Sequence, residues 1–364
     1  MLLKQHQHGG NLARAAREYG LPERELIDFS ASINPLGPSP GVFRAIAENL
    51  WRIRHYPDPD CRVFLNLLGE YLGVPPECIV PGNGGAELIY MLPTALKVTS
   101  ALVVAPTFSE YSAAIRAAGG ETEYFRLPVE GEIYSHLTEL ADKMAGYQAV
   151  FICNPNNPTG RLFRHDELSP LLEAASKTGT MLVVDEAFMD FVARRRDFTL
   201  MPRAVGSRNL VVLYSLTKFF GIPGLRLGAL VAQPELAAEL NRKRDPWRVN
   251  ALAQVAAEAA LADKGHMAAT LDVVRTEREY LTAALSGIPG VRPLPGAANF
   301  LLLDLSRSGK NVQEIIIDLG RRGLLVRDCS NFYGLDGCHI RTAVRSREEN
   351  DRLIAALREI MGGN

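Results

Sequence analysis

The sequence predicts an α/β protein whose large domain has a mostly parallel central sheet and whose smaller domain is α+β. Two observations support this prediction. Short apolar runs alternate with helical stretches in the middle of the chain, and the alternation stops after about Pro246. Runs that are apolar throughout, rather than at every second residue, are typical of strands covered on both faces. The alternation of strands and helices is the βαβ pattern of a parallel sheet.

Five apolar runs are the predicted strands of the large sheet, at 101–105, 149–153, 181–185, 209–213 and 227–232. Helical stretches, such as 167–178, lie between them. Ligands of open α/β sheets gather beyond the carboxyl ends of the strands. Polar residues that directly follow these runs are therefore candidate site residues.

The C-terminal part of the chain has a different pattern. A long helical region at 249–285 is followed by predicted strands near 299–303 and 340–344, and a last helix begins near 348. We expect the first forty-odd residues to pack onto this part. The prediction is a large domain at 45–250 and a discontinuous small domain made of 1–44 and 251–364.

Composition excludes several classes of function. The chain has 364 residues and a net charge of −1, so no strong field favours nucleic acid or an anionic membrane. Its five cysteines lack the spacing of a metal site, and we expect free thiols in a reducing cytosol and no bound metal. No apolar stretch has the length of a membrane span, and residues 1–11 do not resemble a signal peptide, so a cytoplasmic protein is expected.

Three polar residues follow successive strands of the predicted sheet: Asn157, Asp185 and Lys218. Each has an ordinary alternative, respectively a plain turn, a helix cap and a solvated surface charge. Together, an amide, a carboxylate and an amine at neighbouring strand ends are what pyridoxal phosphate chemistry requires. Lysine binds the aldehyde covalently, aspartate keeps the pyridine nitrogen protonated, and asparagine donates to the ring oxygen.

The motifs around these residues resemble those of the fold-type-I, aminotransferase-like family of enzymes that use pyridoxal 5'-phosphate. They are Asn-Pro-Asn-Asn-Pro-Thr-Gly at 154–160, Asp-Glu-Ala-Phe at 185–188 and Ser-Leu-Thr-Lys-Phe-Phe-Gly-Ile-Pro-Gly-Leu-Arg-Leu-Gly at 215–228. The resemblance implies this cofactor and a fold-type-I transferase fold. It also implies that Lys218, Asp185 and Asn157 are catalytic.

The same resemblance implies the rest of the cofactor site. A glycine-rich turn at 81–90 precedes a helical stretch, and backbone N–H groups at a helix start bind anions. The residues implied to hold the cofactor phosphate are Gly84, Gly85, Ala86, Ser215 and Arg226. Phe108 is implied to stack on the cofactor ring, although a core phenylalanine is the alternative. Tyr56 is implied to reach the phosphate of a neighbouring subunit, which predicts a homodimer with shared active sites.

Segments near the two termini resemble the family of threonine-phosphate decarboxylases. They are His-Gly-Gly-Asn at 8–11, Asp-Phe-Ser-Ala-Ser-Ile-Asn-Pro-Leu-Gly at 28–37, Val-Arg-Asp-Cys-Ser-Asn-Phe-Tyr-Gly-Leu at 326–335 and Ile-Arg-Thr-Ala-Val-Arg-Ser at 340–346. This implies decarboxylation of O-phospho-L-threonine to (R)-1-amino-2-propanol phosphate in adenosylcobalamin biosynthesis. The implied substrate site consists of His8, Gly9, Ser32, Asn157, Arg327 and Arg341.

A phosphorylated amino acid has two anionic groups, which suits two guanidinium groups at a fixed separation. Ser32 departs from the family, in which asparagine is common. The contributions of Arg345 and His6 stay open.

Three alternatives remain. Histidinol-phosphate aminotransferases share Asn-Pro-Leu-Gly and the Lys218 segment, although aminotransferases usually carry tyrosine where this chain has Phe188. Phosphoserine is an alternative substrate, because one methyl group contributes only about 1–3 kcal/mol of selectivity. A non-catalytic regulator is disfavoured, since no basic helix-turn-helix segment is present.

Overall fold

The computed structural model describes residues 8–362, so His6 lies outside the described residues. Within this range the helices are α1 (Leu12–Tyr19), α2 (Pro40–Glu48), α3 (Arg62–Leu72), α4 (Gly85–Leu96), α5 (Glu110–Ala117), α6 (Tyr134–Lys143), α7 (His165–Thr178), α8 (Met201–Ala204), α9 (Leu216–Phe219), α10 (Pro234–Arg242), α11 (Ala251–Ala262), α12 (Lys264–Ser286), α13 (Val312–Arg321) and α14 (Arg347–Ile360).

The strands are β1 (Ile27–Asp28), β2 (Ile79–Gly82), β3 (Ser100–Ala105), β4 (Glu121–Arg126), β5 (Ala149–Cys153), β6 (Met181–Asp185), β7 (Leu210–Ser215), β8 (Gly228–Val231), β9 (Arg292–Pro293), β10 (Phe300–Asp304), β11 (Leu324–Leu325), β12 (Arg327–Asp328) and β13 (His339–Ala343).

The large sheet has seven strands in the order β2-β8-β7-β6-β5-β3-β4. The strands from β7 to β4 pair in parallel, whereas β8 is antiparallel to both of its neighbours. All five predicted strands are present, and the prediction of a mostly parallel sheet is confirmed. The sequence missed β4 as a strand, because this edge strand is largely polar and only Phe125 in it is buried.

Helices cover both faces of the large sheet. Along β5, Phe151 packs with residues of α4, α5 and α10 on one face. Its neighbours Val150 and Ile152 pack with residues of α3, α6, α7 and α11 on the other. Because successive strand residues point to opposite faces, both sets must be apolar, which explains the continuous apolar runs.

A second sheet is built mainly from the C-terminal part of the chain. Its strand order is β12-β13-β10-β9, with antiparallel pairing throughout. The N-terminal strand β1 pairs with β11 of the C-terminal part. Ile27 and Phe29 join a separate core formed with α12, α13 and α14. These observations describe a smaller α+β unit, and the boundaries given above for it stay a prediction.

The predicted helical region at 249–285 consists of two helices. The break falls at Asp263, whose carboxylate accepts a hydrogen bond of 2.9 Å from the His266 N–H and caps α12. The first helix, α11, buries its alanines in the large core, whereas α12 reaches the smaller core through Leu281 and Leu285. Within residues 8–362, no helix combines the length and apolar character needed to cross a bilayer.

Candidate active site

A cavity of about 420 Å³ lies at the carboxyl ends of β5, β6 and β7, where the two sheets meet. Every predicted site residue except Gly84 and Tyr56 lines it: His8, Gly9, Ser32, Gly85, Ala86, Phe108, Asn157, Asp185, Ser215, Lys218, Arg226, Arg327 and Arg341. Residues that are up to 333 positions apart in the sequence, such as His8 and Arg341, therefore surround one space (341 − 8 = 333).

Lys218 lies in α9, the single helical turn that follows β7. Burial, together with the charges of Arg226 and Arg341, lowers the pKa of its amine to about 8, and the charge of Asp185 opposes this shift. An amine with a lowered pKa is neutral more often near neutral pH, and only the neutral amine is a nucleophile. The position suits covalent attachment to an aldehyde.

Asp185 ends β6 and accepts two hydrogen bonds. The Tyr111 hydroxyl donates to Oδ2 at 2.6 Å, and the Ala187 N–H donates to Oδ1 at 3.0 Å. Burial raises the pKa of Asp185, while these hydrogen bonds and the charge of Lys218 lower it. A buried carboxylate that faces a cavity is stabilised by a cationic partner there. The site therefore fits a protonated pyridine nitrogen.

Arg341, on β13, links the second sheet to the loop that carries Asn157. Its Nη1 donates to Asn157 Oδ1, and its Nη2 donates to the Ser30 carbonyl at 2.9 Å. The guanidinium carbon lies 4.9 Å from the centre of the Phe300 ring. Burial lowers the pKa of Arg341 to about 10, so the side chain remains charged at neutral pH. Since Asn157 Oδ1 is used, its amide nitrogen is the group able to donate to a ligand.

Arg327, on β12, lies directly opposite Arg341 in the antiparallel pair of strands. Its Nη2 donates to Asn331 Oδ1 at 2.8 Å, and its guanidinium carbon lies 5.0 Å from the centre of the Phe332 ring. Burial lowers the pKa of Arg327. Like charges at opposed positions destabilise a sheet, and both arginines are less than 10% exposed. An anionic ligand would offset this repulsion.

Two buried polar atoms at the cavity have no hydrogen-bond partner within the described part of the chain, Ser32 Oγ and Arg341 Nε. Buried polar groups are normally paired, by protein, water or ligand. Both residues line the cavity and come from the side that also holds Arg327. This side of the cavity therefore offers donors to a polar ligand.

The start of α4 has the features of an anion site. Gly84 has a φ of +83°, and a Cβ there would lie 2.5 Å from Arg226 Nη2, so the guanidinium packs directly on this backbone. Gly85 and Ala86 of the first turn line the cavity. First-turn N–H groups beside a guanidinium fit a phosphate. Gly84 itself does not line the cavity; it lies under Arg226.

Ser215 and Phe108 line the cavity near these groups. The Ser215 and Thr217 hydroxyls lie 2.7 Å apart and share a hydrogen bond. Tyr56 does not line the cavity of its own chain. It is 79% exposed and stacks on Trp247 with ring centres 4.5 Å apart.

The N-terminal residues close one side of the cavity. His8 Nε2 lies 2.8 Å from Glu110 Oε1, and the His8 and Phe108 ring centres are 5.4 Å apart. Gly9 is pressed against Ser30, whose carbonyl oxygen would lie 2.2 Å from a Cβ at position 9. A larger residue at position 9 would therefore displace the segment.

Two further observations answer questions that the sequence raised. Phe188 lines the cavity and meets Phe300 edge to face, with ring centres 5.0 Å apart. Arg345 does not line it; its guanidinium forms an ion pair of 2.7 Å with Glu349 in the first turn of α14. Within residues 8–362, no group of three His, Cys, Asp or Glu side chains is arranged to hold a metal ion.

Sequence reasoning missed several polar residues that line the cavity, among them Glu110, Tyr111 and Thr217. Tyr111 contacts Asp185 and Glu110 contacts His8, across 74 and 102 positions of sequence. Tyr111 could have been noticed because it lies three residues after Phe108. Thr217 could have been noticed as a second hydroxyl beside Ser215.

Comparisons with known proteins agree with this geometry. The model of the family "Aminotransferase class I and II" matches residues 24–357. A threonine-phosphate decarboxylase of Salmonella typhimurium is 37% identical, with 100% of this chain and 99% of the relative covered. A histidinol-phosphate aminotransferase of Moorella thermoacetica is 34% identical, with 99% of this chain and 91% of the relative covered.

Among solved structures, the L-threonine-O-3-phosphate decarboxylase of Porphyromonas gingivalis superimposes with a TM-score of 0.81 and 29% identity, covering 92% of this chain and 98% of that chain. The fold-type-I prediction is confirmed by these matches. The family model covers most of the chain, and the relatives cover nearly all of it. The chain is therefore an enzyme of the aminotransferase class I and II family.

Proposed function

We propose that this enzyme decarboxylates O-phospho-L-threonine to (R)-1-amino-2-propanol phosphate and CO2, with pyridoxal 5'-phosphate as its cofactor, in adenosylcobalamin biosynthesis. The observation that carries the proposal is the opposed pair Arg327 and Arg341 in the cavity that also holds Lys218. Two buried guanidinium groups suit a ligand with a carboxylate and a phosphate. The 37% identity to a decarboxylase of this kind supports the same substrate.

Pyridoxal phosphate, when bound, accepts the electron pair that a broken bond at the substrate Cα leaves behind. In the proposed site, Lys218 Nζ would bind its aldehyde carbon and Asp185 would pair with its ring nitrogen. Tyr111 and the Ala187 N–H keep that carboxylate ionised and fixed. The amide nitrogen of Asn157 donates to the ring oxygen.

The other cofactor contacts follow from the geometry around α4. We assign the phosphate to the N–H groups of Gly85 and Ala86, with Gly84 leaving room for Arg226 above them and Ser215 donating a hydroxyl. The Phe108 ring covers one face of the cofactor. The exposed Tyr56 would complete the phosphate site of a second copy in a homodimer.

The arginines decide which bond breaks. Arg341 and Arg327 would hold the two anionic groups of the substrate and so fix the orientation of its carboxylate, which selects the bond to Cα that breaks. His8, Gly9 and Ser32 also line the cavity and would contact the phosphate of the substrate. After CO2 leaves, Lys218 Nζ returns a proton to Cα.

A second candidate is transamination of histidinol phosphate, which the 34% identity to a histidinol-phosphate aminotransferase favours. Both substrates carry a phosphate, so the anion site alone does not separate them. They differ at the other end of the molecule, because histidinol phosphate has no carboxylate. In a transaminase the second arginine would serve the dicarboxylate co-substrate, so the products must separate the two candidates.

The test compares products. Purified, cofactor-loaded protein is incubated with O-phospho-L-threonine, O-phospho-L-serine or L-threonine, and CO2 and amine are quantified. We expect equal amounts of CO2 and aminopropanol phosphate from phosphothreonine, and little turnover of threonine. The counter-assay supplies histidinol phosphate and 2-oxoglutarate. Glutamate formed there, without CO2 from either phosphoamino acid, would overturn the proposal.

A further inference from the structure

Glu110 has an unexpected position for an acidic residue. Within the described residues, it and Asp185 are the only acidic side chains that line the cavity, which also faces Lys218 and three arginines. Glu110 begins α5 and is only 8% exposed. A carboxylate at an anion site repels the ligand unless its charge is offset.

Both oxygens of Glu110 are engaged. His8 Nε2 lies 2.8 Å from Oε1, and the Tyr90 hydroxyl donates to Oε2 at 2.7 Å. An ionised carboxylate only accepts hydrogen bonds, so against ionised Glu110 the proton of this contact would be on Nε2. The other ring nitrogen, Nδ1, is then the group that can meet a ligand.

The backbone holds His8 in place independently. The Gly10 N–H donates to Ser30 Oγ at 2.9 Å, and Gly9 lies against the Ser30 carbonyl that also accepts from Arg341. Residues 8–10 are thus held by Ser30 through the backbone and by Glu110 through the His8 ring. This arrangement restricts the position of the His8 ring before any ligand binds.

We propose that Glu110, supported by Tyr90, is a positioning residue that holds His8 for the phosphate of the substrate and so determines the preference for phosphorylated amino acids. The inference rests on the proposed function, in which His8 contacts that phosphate. A ring whose Nε2 is held by Glu110 leaves Nδ1 to meet the phosphate. Glu110 serves the ligand through His8, because a carboxylate cannot itself donate a hydrogen bond to a phosphate.

The proposal predicts that Glu110→Gln has opposite effects on phosphate binding in the presence and in the absence of His8. With His8 present, Glu110→Gln should weaken phosphate binding about tenfold, the typical effect of losing one hydrogen bond to a charged group. With His8→Ala, the imidazole no longer lies between the Glu110 carboxylate and the ligand. Glu110→Gln in that background should therefore strengthen binding several-fold. A residue that only stabilises the fold would not reverse its effect.

The experiment measures dissociation constants by calorimetry for wild type, the two single variants and the double variant, all loaded with cofactor. The probe is 2-aminoethyl phosphate, which has no carboxylate and reports the phosphate end alone, and ethanolamine is the unphosphorylated control. Glu314→Gln, which removes an exposed acid from the first turn of α13, is the matched control. Tyr90→Phe keeps the carboxylate and should weaken binding only about two- to threefold.

The sign reversal, with ethanolamine binding unchanged, supports the proposal. Equal losses in both backgrounds overturn it, as does an unchanged constant for Glu110→Gln. If a Glu110 or His8 variant unfolds, the dissociation constant of Tyr90→Phe decides the question. The proposal is overturned if Tyr90→Phe binds 2-aminoethyl phosphate as tightly as wild type does. The decarboxylation assay is separate, so wild type that releases CO2 from phosphothreonine but shows no sign reversal refutes this inference alone. Wild type that does not prefer 2-aminoethyl phosphate to ethanolamine refutes both.

Discussion

The cavity has two halves that differ in how their polar groups are satisfied. The strand-end half consists of Asn157, Asp185, Ser215 and Lys218, and the arginine half consists of His8, Ser32, Arg327 and Arg341. In the strand-end half the chain itself supplies partners, since Asp185 accepts two hydrogen bonds and Ser215 pairs with Thr217. In the arginine half, like charges oppose each other and Ser32 Oγ and Arg341 Nε have no partner within the described residues.

This difference indicates different occupants. A permanent cofactor can be met by groups that are already fixed, whereas a substrate that comes and goes must supply the missing partners in each cycle. Variants in the strand-end half should therefore change the cofactor spectrum. Variants in the arginine half should change KM while leaving that spectrum intact.

The largest expected effect belongs to Lys218→Ala. Without the amine the cofactor has no covalent attachment and Cα no proton donor, so activity should fall at least about a thousandfold. Absorbance near 420 nm and trapping by borohydride should both disappear. Lys177→Ala, on an exposed lysine of α7, is the control and should retain both signals. If borohydride still traps the cofactor on Lys218→Ala, the cofactor is attached to another residue and the assignment of the strand-end half to the cofactor is wrong.

Variants of Arg327 and Arg341 should have the next largest effect, and they distinguish a change in substrate binding from a change in the cofactor environment. Arg327→Lys should raise KM about a hundredfold with an unchanged visible spectrum, because lysine does not reproduce a two-pronged grip on an anion. Arg341→Lys should raise KM similarly but also shift the spectrum, since Arg341 donates to Asn157 of the other half. Spectral titration and steady-state kinetics measure both. If both variants change KM and leave the spectrum unchanged, the hydrogen bond from Arg341 to Asn157 does not couple the two halves.

How far the sequence predicts the site depends on which half is considered. Lys218, Asp185 and Asn157 each follow an apolar run, so local pattern and chemistry together locate them. Arg327 and Arg341 followed only from family resemblance. Their opposition depends on β12, a strand of two residues whose pairing no local propensity reveals. Contacts between distant segments form only in the folded chain.

The fold shows the same contrast. The buried parallel strands were predicted because burial on both faces leaves a continuous apolar run. The polar edge strand β4 leaves no such run and was missed. The break at Asp263 was missed as well, because helical periodicity continues through it and only the capping contact to His266 marks the new start.

The pH dependence of cofactor attachment tests the environment of Lys218. Its amine has a pKa of about 8 instead of the ordinary 10.5, chiefly because of burial. Neutral amine is lost as pH falls below this value, so the attachment rate to cofactor-free protein should drop about tenfold from pH 7 to pH 6 and level off above about pH 8. Stopped-flow absorbance measures the rate. Asp185→Asn removes a charge that raises this pKa, so its midpoint should lie lower. A wild-type midpoint near 10.5 contradicts the expectation.

Tyr111→Phe should have a smaller effect. The hydroxyl lowers the pKa of Asp185, which burial raises, so its loss should raise that pKa further. The ionised carboxylate is then lost at a higher pH as the pH falls, and the acid limb of the kcat/KM profile should move to higher pH. At pH 8 the loss should be about tenfold or less, as for one hydrogen bond. Packing on Phe151 is retained. Tyr134→Phe, at an exposed tyrosine, is the control, and superimposable profiles for Tyr111→Phe and wild type would refute the assignment.

Phe188→Tyr should have the smallest effect, and it acts where the two halves meet. Phe188 touches Phe300, whose ring lies under the Arg341 guanidinium. A hydroxyl here adds a donor toward the cofactor ring oxygen, which favours the deprotonated form of the lysine link. The pH midpoint of the visible absorbance should fall by about one unit or less, as expected for one neutral hydrogen bond. Phe188→Leu adds no donor and should leave the midpoint nearly unchanged, and an unmoved midpoint in Phe188→Tyr would refute the prediction. If Phe188→Tyr also raises KM, we infer that the hydroxyl has displaced the Phe300 ring beneath the Arg341 guanidinium. The two halves of the cavity are then coupled through these two rings as well as through the hydrogen bond from Arg341 to Asn157.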